Sequence, residues 1–157
     1  MRAIAVSILL ASSALAGEAP ALVVAGPKGE TKSLQASDLR QLAVREVTVT
    51  EPHGKQTVRY RGAPLTAVLA LVGAPAGDAL RGPGLALHVR VEASDGYRAS
   101  FSLAELDAGF GSTDVLVAFE RDGEPLGAEI GPFRLVVPTD KRGGRWVRQV
   151  VSIKLLD

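Results

Sequence analysis

Hydrophobic positions in this chain fall in short runs and alternating stretches, broken by glycine or proline every ten or so residues. That spacing predicts short strands joined by turns, with few helices. Ala21–Ala25 reads as a first strand, ended by Gly26-Pro27. Ser37 is placed to cap a short helix through Leu42, with Asp38 favourable in its first turn. Val47-Thr48-Val49-Thr50 is β-branched throughout, and Pro52–Lys55 turns the chain back into Gln56–Tyr60 as a hairpin. Gly62-Ala63-Pro64 then opens a helix with Pro64 in its first turn. Leu65, Val68, Leu69 and Val72 recur at i, i+3, i+4 and i+7 on one apolar face, and Gly73 stops it.

The second half of the chain continues the pattern. Ala74–Gly84 is a loop rich in Gly, Pro and Ala. Leu85, Leu87, Val89 and Val91 alternate with His88, Arg90 and Glu92, which predicts a strand buried on one face. Asp95-Gly96 turns it back into Tyr97–Phe101, and Ser102 with Glu105 forms a capping box for a short helix. Val115–Glu120 is a strand, Arg121–Glu124 a turn, and Phe133–Val137 a strand stopped by Pro138. Trp146–Leu155 is the last strand, with Val147, Val151, Ile153 and Leu155 on one side. About seven strands and three short helices predict an α+β, β-rich single domain.

Composition narrows the chemistry. A length of 157 residues suits one domain. Cysteine is absent, which removes disulfides, thiol nucleophiles and thiolate metal ligands. Two histidines, His53 and His88, are too few for a His-rich zinc centre. A net charge of +1 argues against nucleic acid as partner. Met1–Ala16 has the layout of a secretory signal peptide: Arg2, an apolar run, then Ala14-Leu15-Ala16. The run is short of the roughly 20 residues a span requires, so no membrane span is expected after cleavage. The domain is therefore expected over 17–157, with net charge zero once Arg2 is gone, in the periplasm or secreted.

Charge is segregated along the domain. Ser102–Glu129 carries seven acidic residues and one basic; Gly131–Lys154 carries six basic and one acidic. The loop Asp140-Lys-Arg-Gly-Gly-Arg145 is the densest part. Its glycines and guanidinium groups suit an oxyanion. The competing reading is a solvated loop whose charges pair with the acidic segment.

Four segments carry a family resemblance in this order: Asp95-Gly-Tyr-Arg-Ala-Ser-Phe-Ser-Leu103, Val115-Leu-Val-Ala-Phe-Glu-Arg-Asp-Gly-Glu-Pro-Leu126, Gly131-Pro-Phe-Arg-Leu-Val-Val-Pro138 and Arg145-Trp-Val-Arg148. The series resembles the molybdopterin-binding domain of the sulfite oxidase family, and Tyr60-Arg-Gly-Ala-Pro-Leu65 is similar to the segment leading into it. The likeness covers Val47 to Leu155. It implies the family's β-rich α+β fold and a molybdenum cofactor bound through phosphate and pterin. It assigns Asp95 to a cofactor contact and Arg134 to the arginine of a His-x-x-x-x-Arg motif that holds the pterin. Trp146, Val147 and Arg148 match a short segment whose backbone and basic side chain reach the cofactor.

Two departures bear on function. The family ligates molybdenum with a cysteine, and this chain has none. Glu129 stands five residues before Arg134, where the motif has histidine, and a carboxylate there repels an anionic cofactor. His53, in a turn, is a weak candidate ligand and reads better as a solvated turn residue. Molybdopterin is thus implied by resemblance and disfavoured by the missing thiolate. The expected function is an exported, non-catalytic binding or accessory domain with a degenerate cofactor pocket. It would serve an exported sensor or redox protein, or hold a small anion. The alternative is a molybdenum-cofactor-dependent oxidoreductase or cofactor-binding protein without a cysteine ligand. Without a ligand, Arg134 needs a buried counter-charge, for which Asp95 or Glu129 is the expected partner. Trp146 is expected in the core with its indole N–H on a carbonyl, and Tyr97 as a pocket phenol or a half-buried strand residue.

Overall fold

Short strands dominate the secondary structure. The computed structural model describes residues 21–111 and 113–157; the leader expected over Met1–Ala16 lies outside them. Its strands are β1 (Leu22–Ala25), β2 (Thr31–Leu34), β3 (Arg45–Thr50), β4 (Thr57–Pro64), β5 (His88–Ala93), β6 (Arg98–Ser102), β7 (Leu116–Arg121), β8 (Glu124–Pro125), β9 (Arg134–Val136) and β10 (Val150–Leu156). The helices are α1 (Ala36–Leu39), α2 (Leu65–Ala70) and α3 (Leu103–Leu106). None of the described helices is long and apolar enough to cross a membrane.

The strands make two five-stranded sheets. One runs β2-β1-β10-β5-β6, with β1 parallel to β10. The other runs β3-β4-β7, and the far edge of β7 is shared by β8 and β9. Inward positions of both sheets join one core, including Leu22, Val91, Phe101 and Ile153 from the first and Tyr60, Val117, Phe119 and Leu135 from the second. Burial of this kind is worth roughly 25 cal/mol per Å² of apolar surface, so the core carries the stability of a chain without disulfides.

Several expectations hold and several are corrected. Leu65, Val68, Leu69 and Val72 are all buried, and Ser102 and Glu105 close their capping box with a 3.3 Å bond from the Ser102 N–H to the Glu105 carboxylate. The strands number ten rather than about seven: eight segments read as strands all form one, and β2 and β8 are added, which bury too little to leave a hydrophobic pattern. Gln35, not Ser37, caps α1, and Asp38 accepts its backbone N–H at 2.7 Å. Pro64 ends β4 at φ −55°, ψ 136° rather than entering α2, so the second hairpin arm runs on well past Tyr60. Leu85 sits in a 3-10 turn over Gly82–Ala86 and is exposed, so the strand begins at His88 instead.

The last strand begins at Val150, not Trp146. A 3-10 turn over Gly143–Arg145 and a left-handed Gln149 (φ 49°) keep Trp146 and Val147 out of the ladder. A register shift between Val150 and Ser152 turns Val150 inward and leaves Val151 exposed. One extra residue in a strand reverses the alternation that follows it.

Candidate functional site

Four connections meet at one end of the sheets. They are the β3–β4 turn, the β5–β6 turn, the loop entering β9 and the loop entering β10. Together they line a cleft of about 630 Å³ that contains Glu51, His53, Asp95, Tyr97, Glu129, Arg134 and the segment Gly143–Gln149 except Arg145. Gln149 ties them together. Its backbone N–H donates to Ile130 O at 2.9 Å, its carbonyl accepts the Ser94 N–H at 2.9 Å, and its amide donates to Ala128 O at 2.7 Å.

The floor is a buried polar cluster. Arg134 projects from β9 beside Ala118 of β7, and its side chain is only 9% exposed. Its Nη1 donates to Glu51 Oε1 at 2.8 Å and to the Tyr60 hydroxyl at 2.6 Å. Tyr60 in turn donates to Glu51 Oε1, and Arg121 Nη2 donates to Glu51 Oε2 at 3.0 Å. Both charges of the Glu51–Arg134 pair are out of water, so each requires the other. The guanidinium also faces the rings of Tyr60 and Trp146, at 5.3 and 5.5 Å from their centroids. Burial raises the Tyr60 phenol well above its ordinary pKa, helped by the bond to Glu51 and partly offset by Arg134. Nε of Arg134 and Nε of Arg121 are both buried without a partner.

The cleft's wall is set by the loop entering β10. Arg145 turns away from the cleft. It grips Asp140 through Nε and Nη2 at 2.9 and 2.7 Å, reaches Glu105 through Nη1 at 2.6 Å, and lies 4.5 Å over Phe101. The bonds it donates to Asp140, then to Glu105, raise its pKa further, against the opposing effect of burial. This part of the basic loop therefore pairs with the acidic segment, as the solvated-loop reading expects. Gly143 lies against His53: a Cβ there would come within 2.6 Å of His53 Nε2.

All five residues that the resemblance singles out line this cleft, in differing states. Asp95 is exposed, with one carboxylate oxygen accepting the Tyr97 N–H at 2.9 Å in the β5–β6 turn. Trp146 is buried with its indole N–H on Val137 O at 3.0 Å, as expected. Val147 is buried and its carbonyl accepts the Leu135 N–H at 2.8 Å. Arg148 is exposed and makes no ion pair among the described residues. The counter-charge of Arg134 is corrected: it is Glu51, not Asp95 or Glu129. Tyr97 is 50% exposed, just outside β6, with its hydroxyl on Gly144 O at 2.6 Å. Glu51 and Arg121 are the residues the sequence left unmarked. Glu51 is 83 positions from Arg134, and nothing local to either one signals the pair.

Comparison with known proteins bears out the resemblance. The family model "Oxidoreductase molybdopterin binding domain" matches residues 16–157. A search of curated proteins finds no match. Among solved structures, the sulfane dehydrogenase SoxCD from Paracoccus pantotrophus superposes with a TM-score of 0.63 at 21% identity. The match covers 88% of this chain and 38% of that one, so it shares the fold of a part of the larger protein.

Proposed function

We propose that this chain, which belongs to the oxidoreductase molybdopterin-binding domain family, is an exported, non-catalytic binding or accessory domain of that family. The observation that carries the reading is the state of Arg134. The resemblance gives this arginine to the pterin, yet its Nη1 is committed to Glu51 and Tyr60.

The cofactor implied by the family does not fit the donor set of the cleft. The chain supplies no thiolate. Among the described residues no group of three or more His, Cys, Asp or Glu is placed to hold a metal ion. Of the carboxylates that line the cleft, Glu51 is neutralised by Arg121 and Arg134, while Asp95 and Glu129 make no ion pair among the described residues. Two unpaired, exposed carboxylates beside a polyanion are repulsive at close range. No redox step is therefore derived for this site.

What the cleft offers is recognition. Arg148 is a free cation on its rim, Glu129 and Asp95 supply anions, and Tyr97, Gly144 and Trp146 supply a mixed polar and aromatic wall. That set suits a small polar molecule with an anionic group for Arg148, or a side chain of an exported sensor or redox protein. Native mass spectrometry of protein recovered from a bacterial periplasm tests the proposal. It predicts a chain beginning at Gly17 with no molybdopterin adduct. A chain retained in the cytoplasm would refute export, and a molybdopterin adduct would refute the non-catalytic reading.

A further inference from the structure

Glu51 is held the way a bound anion is held. Its Oε1 accepts from the Tyr60 hydroxyl and from Arg134 Nη1, and its Oε2 from Arg121 Nη2. Three donors, two of them guanidinium groups, converge on one carboxylate whose side chain is 11% exposed. Charge-assisted bonds to arginine are the common means by which proteins bind carboxylate, sulfate and phosphate. Two arginines face a single carboxylate here, which leaves the cluster cationic by one charge.

We infer that Glu51 is the built-in occupant of an oxyanion site formed by Arg121, Arg134 and Tyr60, and that it sets the specificity of the cleft by excluding external anions from that floor. This deepens the binding-domain reading and rests on it. The backbone keeps the occupant in place: Glu51 follows β3 directly, and its N–H donates to Gln56 O at 2.8 Å across the hairpin. An external anion meets a carboxylate already seated on Arg134. Ligands of the intact protein therefore place their anionic group at the exposed Arg148 and present no oxyanion to the floor. Removing the carboxylate opens a hole of about the size of formate or acetate.

Formate is the probe. Glu51→Ala is melted in sodium formate and in sodium chloride of equal ionic strength, alongside the unaltered protein. The variant is expected to gain about 5 °C in formate over chloride in a saturable titration. The unaltered protein gains nothing specific, and Glu51→Ala/Arg134→Met loses the effect. No formate-specific gain in the single variant, or an equal gain in the double variant, overturns the inference. Should Glu51→Ala be unfolded alone, the folded fraction recovered in formate but not chloride is read instead, with the same two outcomes.

The unaltered protein gives an independent check. The Nε–Hε resonance of Arg134 is expected to stay fixed as formate is added, and a saturable shift overturns the claim that Glu51 fills the site. Failure of this inference is distinct from failure of the proposed function. A molybdopterin adduct refutes the latter whatever formate does, whereas cofactor-free protein without formate rescue refutes only the former.

Discussion

Deleting one charge of the floor cluster should cost more than deleting the other, and the structure sets the order. Glu51→Ala leaves Arg134 buried with no anion, since the side chains of this pair are 9% and 11% exposed. Breaking a buried pair on one side costs about 3–5 kcal/mol. The low end applies, about 3 kcal/mol, because the Tyr60 hydroxyl still accepts from Arg134 and the Arg121 contact is 32% exposed on the arginine side. Arg134→Met should cost less, about 2 kcal/mol, because Glu51 keeps Arg121 and Tyr60. Independent effects would sum to about 5 kcal/mol, but the double variant should lose only about 3, a coupling of about 2 kcal/mol. Equilibrium urea unfolding, followed by far-UV circular dichroism and by the fluorescence of Trp146, the single tryptophan, measures all four species. Glu51→Ala should melt about 10 °C lower than the parent. A coupling below about 0.5 kcal/mol would show that the two charges do not depend on each other, and the reading of the floor would be wrong.

Three further outcomes test other parts of the structure. Gly62→Ala drives a Cβ into the Val117 carbonyl at the irregular β4–β7 step; it should destabilise by about 2 kcal/mol in denaturant melts, and a neutral effect would refute that close approach. Backbone N–H bonds from Gly77 and Gly109 lower the Asp107 pKa, so its contribution is complete above the ordinary aspartate range and is lost as pH falls through the lower folded value. A melting-temperature profile should therefore show Asp107→Asn most inferior to the parent near neutrality and converging with it in acid; a constant gap contradicts the assignment. Arg145→Lys loses the fork on Asp140 and the stack on Phe101, at about 1 kcal/mol for a side chain one third exposed. Limited proteolysis should then cut the Asp140–Arg145 loop faster, and unchanged cleavage would show that Arg145 does not order it.

The strands whose two faces differ were legible from their residues. Val89 and Val91 are buried against the core while Arg90 and Glu92 lie on the other face, and Ala99 and Phe101 of β6 follow the same logic. Hairpin signals at Asp95-Gly96 and Asp122-Gly123 mark true turns, with both glycines at positive φ. The β10 bulge was not legible, because a one-residue shift depends on what its neighbour pairs with and not on its own pattern. The cleft's membership was legible only through the family segments, which named Asp95, Arg134, Trp146, Val147 and Arg148. Its electrostatics were not. Glu51 falls between the Val47–Thr50 strand and the Pro52–Lys55 turn with no local signal of its own, and only the fold brings it, Tyr60 and Arg121 around Arg134. Asp95 and Glu129 are the expected partners because the resemblance places them at cofactor-contact positions beside Arg134, and a motif position does not determine contact.

The central claim is that this cleft has exchanged the family's cofactor for an internal ion pair. Counting molybdenum and pterin tests it most directly. Protein would be produced in cells that make molybdenum cofactor and recovered folded; metal would be counted by mass spectrometry and pterin by fluorescence after oxidation. The account predicts far less than one of either per chain. One molybdenum and one pterin per chain would contradict it, and would mean that Arg134 leaves Glu51 when the cofactor binds.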